Sequence, residues 1–403
     1  MPNFKILKKS KKSQARLGVV QTAHGKIATP FFMPDATRGV IKGLSNADLE
    51  HLGLQAAVIN TYHLYLQPGA KLIAKAGGAH AFMNWDKPLL SDSGGYQVYS
   101  LLHKNKNLGK ILDDKVIFKS PLDGSQHELT PEKSIQIQFA LGADMIVCLD
   151  DCPPHDIDRL AMASSVERTI AWARRCKKEY DRIVETQNSC PPTGRVASLH
   201  KKQPLLFAVI QGGTDLAMRK ICADALVAVG FDGYGFGARP VDANGKFLGK
   251  VLRDTADMIP EHSLRFGLGI GLPEDIVRCV QMGWDIFDCV IPTREGRHGR
   301  LFLRKSNVKA QISNVKSNPK LKFQMSKKFY ETLNINNAKF AKDFKPINKN
   351  SKLPELREYS RAYLHHLFKI NDTLGQRLAS LNNLEFYLDL LREIRQGIRN
   401  DSL

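Results

Sequence analysis

Short apolar runs recur along the chain, each closing on a polar or glycine-rich turn. They are AAVINTYH (56–63), PLLSDSGG (88–95), DMIVCLDD (144–151), LLFAVIQGG (205–213), FDGYGFG (231–237), LRFGLGIG (264–271) and DIFDCVIP (285–292). Runs this short, without strict alternation, read as strands covered on both faces. Between several of them the spacing becomes helical. Thr130-Pro131-Glu132-Lys133 has the order of a helix start: a hydroxyl cap, proline at the first position, then an acid. Ser164 to Tyr180 and Asp215 to Val229 read as amphipathic helices. Strands alternating with helices predict an α/β fold around a parallel sheet, either a (β/α)8 TIM barrel or a doubly wound sheet.

The polar positions favour the barrel. Asn60, Asp92, Asp150, Asp151, Gln211 and Asp288 each stand at or just after the end of an apolar run. In a (β/α)8 barrel those ends converge on the face that carries active sites, whereas a doubly wound sheet gathers ligands at one switch point. No GxGxxG or Walker A pattern supports a nucleotide cofactor. Residues 1–300 are therefore assigned to the barrel. The character changes over 301–350, with twelve Lys/Arg against two acids. That stretch reads equally as a solvated linker, an insertion or a basic surface for a phosphate backbone, and 301–355 is set apart as a basic insertion. Residues 356–403 read as C-terminal helices packing on the barrel, with two consecutive helices over 356–399.

Charge narrows the partner. The formal net charge of +19 points to a polyanion, with nucleic acid the first candidate and a generally basic enzyme the blander reading. No apolar run approaches the roughly 20 residues needed to span a bilayer, and the lysine-rich start lacks the apolar stretch of a secretory signal. The seven cysteines are scattered without a CxxC pair, which argues for a reducing compartment and against a disulfide framework or cysteine-rich metal site. Cytoplasmic localisation is the expectation.

A barrel mouth holding Asp92, Asp150, Asp288 and Gln211 suits chemistry at a sugar carbon. One carboxylate can act as nucleophile or stabilise an oxocarbenium-like state while another moves protons. An aspartate and a glutamine beside Tyr96 suit the polar edge and face of a purine. Arg294, Arg297 and Arg300 in TREGRHGR follow Asp288 closely and suit phosphates. Any single strand-end aspartate is more often a helix cap or an ion-pair partner. It is the set that points to transfer or hydrolysis at a glycosidic bond within a nucleic acid.

SDSGGYQV (91–98), NTYHLYLQPG (60–69), TPEKSIQIQFALGADMIVCLDDC (130–152), FDGYGFG (231–237), FDCVIPTREGRHG (287–299) and SRAYLHHL (360–367) closely resemble the tRNA-guanine transglycosylases. The resemblance runs from about Gly18 to Asn383. It implies a (β/α)8 barrel that exchanges guanine at the wobble position of a tRNA anticodon of GUN type for a 7-deazaguanine base, preQ1 or queuine, in queuosine biosynthesis. By the same resemblance Asp288 is the nucleophile that forms a covalent glycosyl-enzyme, and Asp92 the general acid/base. Asp150, Gln211, Gly237, Tyr96, Leu268, Ser93 and Asn60 fall on substrate-binding positions. Gly94 and Gly95 would let backbone approach the base. Arg294, Arg297 and Arg300 fall at the flanking RNA. The implied partners are the tRNA anticodon stem-loop and the 7-deazaguanine base, with no membrane and a homodimer as a further expectation. A non-catalytic tRNA-binding subunit of a heterodimeric transglycosylase and a nucleoside N-glycosidase are the competing readings.

Two departures stand out. The family's structural zinc is held by CxCxxC and a later histidine, and here those positions are Ser351, Leu353, Leu356 and Asn382. Such side chains do not make a tetrahedral zinc site, so no cofactor and no metal are expected, with apolar packing in the ion's place. The adjacent His365 and His366 are expected in packing or surface roles. After FDGY, the glutamate that recognises an aminomethyl substituent falls on Ala243, which leaves the choice between preQ1 and queuine open. Leu272 stands where a phosphate-binding lysine is common.

Overall fold

The computed structural model describes residues 3–154, 157–189, 202–242, 244–305 and 329–403. Its centre is a sheet of eight parallel strands: β1 (Phe31–Pro34), β2 (Ala57–Ile59), β3 (Leu89–Ser91), β4 (Met145–Val147), β5 (Leu205–Ile210), β6 (Gly233–Phe236), β7 (Leu264–Gly267) and β8 (Ile286–Cys289). Neighbours pair in chain order, β8 pairs with β1 from Ile286↔Phe31 to Cys289↔Pro34, and a parallel bridge between Asp35 and Val58 joins β1 to β2. The sheet closes on itself, so the fold is a (β/α)8 barrel.

All seven runs read as strands are strands. The eighth, Phe31-Phe32-Met33-Pro34, was not among them. Thr130 caps the helix Pro131–Leu141 through its side chain, with proline at the start. Asp215 caps Leu216–Val229, and the helix read from Ser164 begins earlier and runs over Arg159–Ser189.

Alternation along the strands builds the interior. Phe31 and Met33, Val58, Leu90, Met145 and Val147, Phe207 and Val209, Phe266, and Ile286 pack together inside the barrel, with Phe4, Val20 and Ile27 of an N-terminal three-stranded antiparallel sheet closing the bottom. At that lower end Asp144, preceding β4, accepts from the backbone N–H of Leu89 (2.9 Å) and His24 (3.0 Å).

The long C-terminal helix Thr373–Arg399 packs on the helix Ile291–Arg297 and the strand Arg300–Arg304. Asn383 ties both down: its amide donates to the carbonyls of Pro292 (2.9 Å) and Arg300 (2.8 Å). The arginine-bearing segment is thereby held in place from the far end of the chain. The region read as two consecutive helices contains Arg361–Lys369 and Thr373–Arg399, preceded by the short Pro354–Glu358.

Candidate active site

Continuing the inward alternation by one step defines the rim. Two residues past the interior side chains Met33, Val58, Leu90, Val209, Phe266 and Ile286 come Asp35, Asn60, Asp92, Gln211, Leu268 and Asp288. Gly237 takes the same place beyond β6. Strand β4 departs from the rule: Leu149 joins the layer between barrel and helices, and Asp150 follows it. The strand periodicity of two thus sets carboxylates and amides around one opening.

Asp92 is held by four donors. Its Oδ1 accepts from the backbone N–H of Thr61 (2.9 Å) and Gly94 (3.1 Å). Its Oδ2 accepts from the Asn60 side chain and from Gln97 Nε2 (3.2 Å). Asn60 also caps the helix Thr61–Leu66 by accepting from His63 N–H at 2.9 Å. Burial pushes the Asp92 carboxyl up to about 7, with the charge of Asp35 adding to the shift and the Thr61 and Gly94 N–H groups opposing it. Asp288 accepts from Gly269 N–H at 2.9 Å. Burial pushes it up to about 7 as well, with the Gly269 bond opposing and Asp35 again adding.

Across the opening, Gln211 Nε2 donates to Asp150 Oδ2 at 2.7 Å. Gln211 is fully buried, and its Oε1 has no hydrogen-bond partner. Such an orphaned acceptor is costly unless a ligand supplies the missing donor. Burial pushes Asp150 up to about 6, while the Gln211 bond lowers it and Asp151 raises it. A Cβ on Gly237 would lie 2.5 Å from the Gln211 amide carbon, so this position needs glycine for space. The Gly237 N–H donates to Ile210 O at 2.9 Å. The next residue, Ala238, holds a positive φ of 94°, and its N–H faces the Cys152 sulfur.

The other expected residues lie around this opening in different settings. Gly94 caps the helix Gly95–Lys104 with φ 77°, and a Cβ there would meet the Tyr62 backbone at 3.2 Å. The left-handed φ and the close approach to the first turn of the helix Thr61–Leu66 both favour glycine here. Ser93 is buried; its Oγ accepts from Gly95 N–H and its carbonyl from Ser134 Oγ (2.8 Å), so it braces the turn. Tyr96 is 58% exposed, an uncovered ring at the start of that helix. Leu268 is partly buried against the barrel interior. Arg297 faces Asp35, Arg294 is exposed, and Arg300 turns to Glu295 at 3.2 Å. Leu272 is exposed, and Ala243 lies outside the described residues.

Two residues of the site were missed by sequence reasoning. Asp35 closes an unread strand. Arg219 looked like the polar face of an amphipathic helix, yet it is fully buried. Its guanidinium donates to the carbonyls of Gly213 (2.7 Å), Ile210 (3.0 Å) and Gly237 (2.7 Å), and it lies 4.1 Å from the Phe236 ring centroid. It ties together the loops that carry Gln211 and Gly237. The signal in the sequence was Gly212-Gly213 beside an arginine one helical turn into the next helix.

A family profile described as Queuine tRNA-ribosyltransferase matches residues 10–403. The chain belongs to this family. Curated relatives of that name include one from Halothermothrix orenii, 40% identical over 401 residues, covering 100% of this chain and 95% of the relative. Those from Thermoanaerobacter pseudethanolicus and Clostridium tetani are 38% and 39% identical, covering 99% of this chain and 94% and 95% of theirs.

The positions where the family resemblance puts zinc ligands do not fit a zinc ion here. Leu353 and Leu356 are buried apolar side chains. Ser351 Oγ donates to Glu385 Oε2 at 2.6 Å. Asn382 accepts from Asn348 (3.1 Å) and donates to Phe302 O (3.0 Å). No soft or imidazole donor is among the four. His365 is buried with Nδ1 2.6 Å from Ile335 O, and His366 is exposed, as packing and surface roles require. A group of side chains close enough to hold an ion is His24, His80 and Asp144, with ligand atoms within 4.8 Å of one another. It sits at the lower end of the barrel, where the two imidazoles stack at 3.5 Å beside a carboxylate that already accepts backbone N–H groups. No described helix is long and apolar enough to cross a membrane.

Proposed function

We propose that this chain is a tRNA-guanine transglycosylase of queuosine biosynthesis, exchanging guanine at the anticodon wobble position for a 7-deazaguanine through a glycosyl-enzyme on Asp288. The observation that supports the reading most is the rim itself. Two carboxyls displaced to about 7, Asp92 and Asp288, share it with the Asp150–Gln211 pair. With each carboxyl raised to about 7 by burial, one can be ionised while the other is protonated near neutral pH, which is the state this chemistry needs.

The target nucleotide leaves the anticodon stack and its base enters beside Asp150 and Gln211. The Asp150 carboxylate accepts from the ring and exocyclic N–H groups of guanine, and the Tyr96 ring covers its face. The ionised Asp288 attacks C1′ of the ribose. As its oxygen bonds to C1′, the bond to N9 breaks and the electron pair goes to the base. Protonated Asp92 gives its proton to the departing guanine. The incoming 7-deazaguanine then gives its N9 proton to Asp92, N9 bonds to C1′, and Asp288 leaves as carboxylate. Retention follows from two displacements at one carbon. Arg294 and Arg297 hold phosphates of the flanking nucleotides.

We also propose that the chain folds without zinc. The Ser351–Glu385 and Asn348–Asn382 hydrogen bonds, with Leu353 and Leu356, occupy the ion's place.

Incubating the protein with a GUN-anticodon stem-loop and labelled guanine tests the activity. Label enters the RNA on this reading, and none enters with Asp288→Ala.

A further inference from the structure

The rim holds a fourth carboxylate, which the mechanism above does not use. Asp35 stands two residues past the inward Met33, and its backbone forms the bridge to Val58 that closes the barrel. Its place is therefore fixed between β8, which carries Asp288, and β2, which leads to Asn60. Asp288 pairs in register with Met33, so Asp35 stands one pleat beyond it on the adjacent strand, roughly 4.8 Å away sideways, and both border the same side of the opening. The Thr37 hydroxyl donates to Asp35 Oδ1 at 2.8 Å. Asp35 is only partly exposed, and burial pushes its carboxyl up, with Thr37 and the Arg297 charge opposing.

The purine-reading pair Asp150 and Gln211 follows β4 and β5, on the other side of the ring. With the base on that arc and Asp288 at C1′, the rest of the sugar falls on the arc of β8, β1 and β2. Within a polynucleotide the 3′ and 5′ oxygens are esterified. The 2′-hydroxyl, on the carbon next to C1′, is the one sugar donor left. A carboxylate suits it, and it is the group that distinguishes RNA from DNA at a given nucleotide.

We propose that Asp35 accepts a hydrogen bond from the 2′-hydroxyl of the nucleotide being exchanged, and so makes the site selective for ribose. This rests on the transglycosylase reading above.

The test compares two stem-loop RNAs, identical except that one carries 2′-deoxyguanosine at the target position, with wild-type protein, Asp35→Ala and Asp35→Asn. A deoxysugar loses its base more readily for reasons unrelated to the protein, so the quantity read is how the ribo/deoxy ratio of kcat/KM changes between proteins. That comparison cancels the intrinsic reactivity. Asp35→Ala is expected to lower the ratio about tenfold, the worth of one charge-assisted hydrogen bond. Asp35→Asn keeps the shape and an uncharged acceptor, and is expected to lower it by about threefold. Should the alanine variant fail to fold, the asparagine variant decides alone. A ratio unchanged within about twofold in the folded variants overturns the proposal. If wild-type protein incorporates no label into either RNA, the transglycosylase reading fails and this inference falls with it.

Discussion

Gln211 donates one amide hydrogen to Asp150 at 2.7 Å while its own carbonyl oxygen is buried with no partner. The pair is a half-satisfied polar network, and on the proposed reading the base supplies the missing donor. On the proposed reading, replacing Asp150 by alanine removes the acceptor for the base, and it strands the Gln211 amide. The expected result is a fall of at least about a hundredfold in kcat/KM for guanine exchange, since a site built for polar partners discriminates strongly when one is lost. Steady-state exchange at varied guanine concentration measures it.

Gly237→Ala probes the same pair sterically. The new methyl would sit 2.5 Å from the Gln211 side-chain carbon. Gln211 must swing away and its bond to Asp150 must open. The KM for the base is expected to rise about tenfold, the equivalent of one hydrogen bond, and the melting temperature to fall modestly, because the displaced Gln211 amide is buried and loses its partner. A large loss of stability with unchanged KM would show that the glycine serves packing alone.

The displaced acids have a stability consequence with a definite sign. The Asp288 carboxyl titrates at about 7 in the folded chain, against a value near 4 when unfolded. Between those two values the folded chain binds a proton that the unfolded chain releases, so folding stability falls as pH rises through that window. Asp288→Asn removes the buried charge and keeps an oxygen for Gly269 N–H. At pH 8 this variant is expected to melt roughly 1–3 °C above wild type. At pH 4 the gap should close, because the wild-type carboxyl is protonated there. Scanning calorimetry of both proteins at the two pH values reads the difference. A variant less stable than wild type at pH 8 would contradict the account.

Much of the barrel was legible because strands covered on both faces leave continuous apolar runs, and because helix starts such as Thr130-Pro131 carry their own chemistry. Phe31–Pro34 was hidden because its run is brief and ends in a proline that reads as a turn. Losing that strand lost Asp35 with it. Arg219 was hidden for a different reason. A helical arginine looks solvent-facing in a periodicity plot, and only tertiary structure brings three strand-end carbonyls to its guanidinium. Asp92, Asp150 and Asp288 were legible from position, but the four-carboxylate rim that includes Asp35 depends on the barrel's closure, which local sequence does not encode.

The region matching the family's metal site offers a direct comparison of packing against coordination. Leu356 is fully buried there, and Glu385 accepts from Ser351 Oγ and Lys352 N–H, each at 2.6 Å. Leu356→Ala is expected to cost about 2–5 kcal/mol in urea unfolding, as a buried leucine does. Ser351→Ala, which leaves a buried carboxylate short of a donor, should cost about 1–3 kcal/mol. Purified protein should contain well under one zinc per chain, and chelator should leave the unfolding midpoint in place. About one zinc per chain, with a midpoint that drops on chelation, would overturn the zinc-free reading.

The central claim is the bond between Asp288 and ribose, and trapping it tests that claim most directly. Stem-loop RNA incubated with protein and no added base, quenched under denaturing conditions, should give a band carrying both protein and RNA. Its mass should be the sum of the two less guanine, peptide mapping should place the link at Asp288, and added guanine should discharge it before quenching. Exchange that proceeds with no such species, or that persists in Asp288→Ala, would contradict the account.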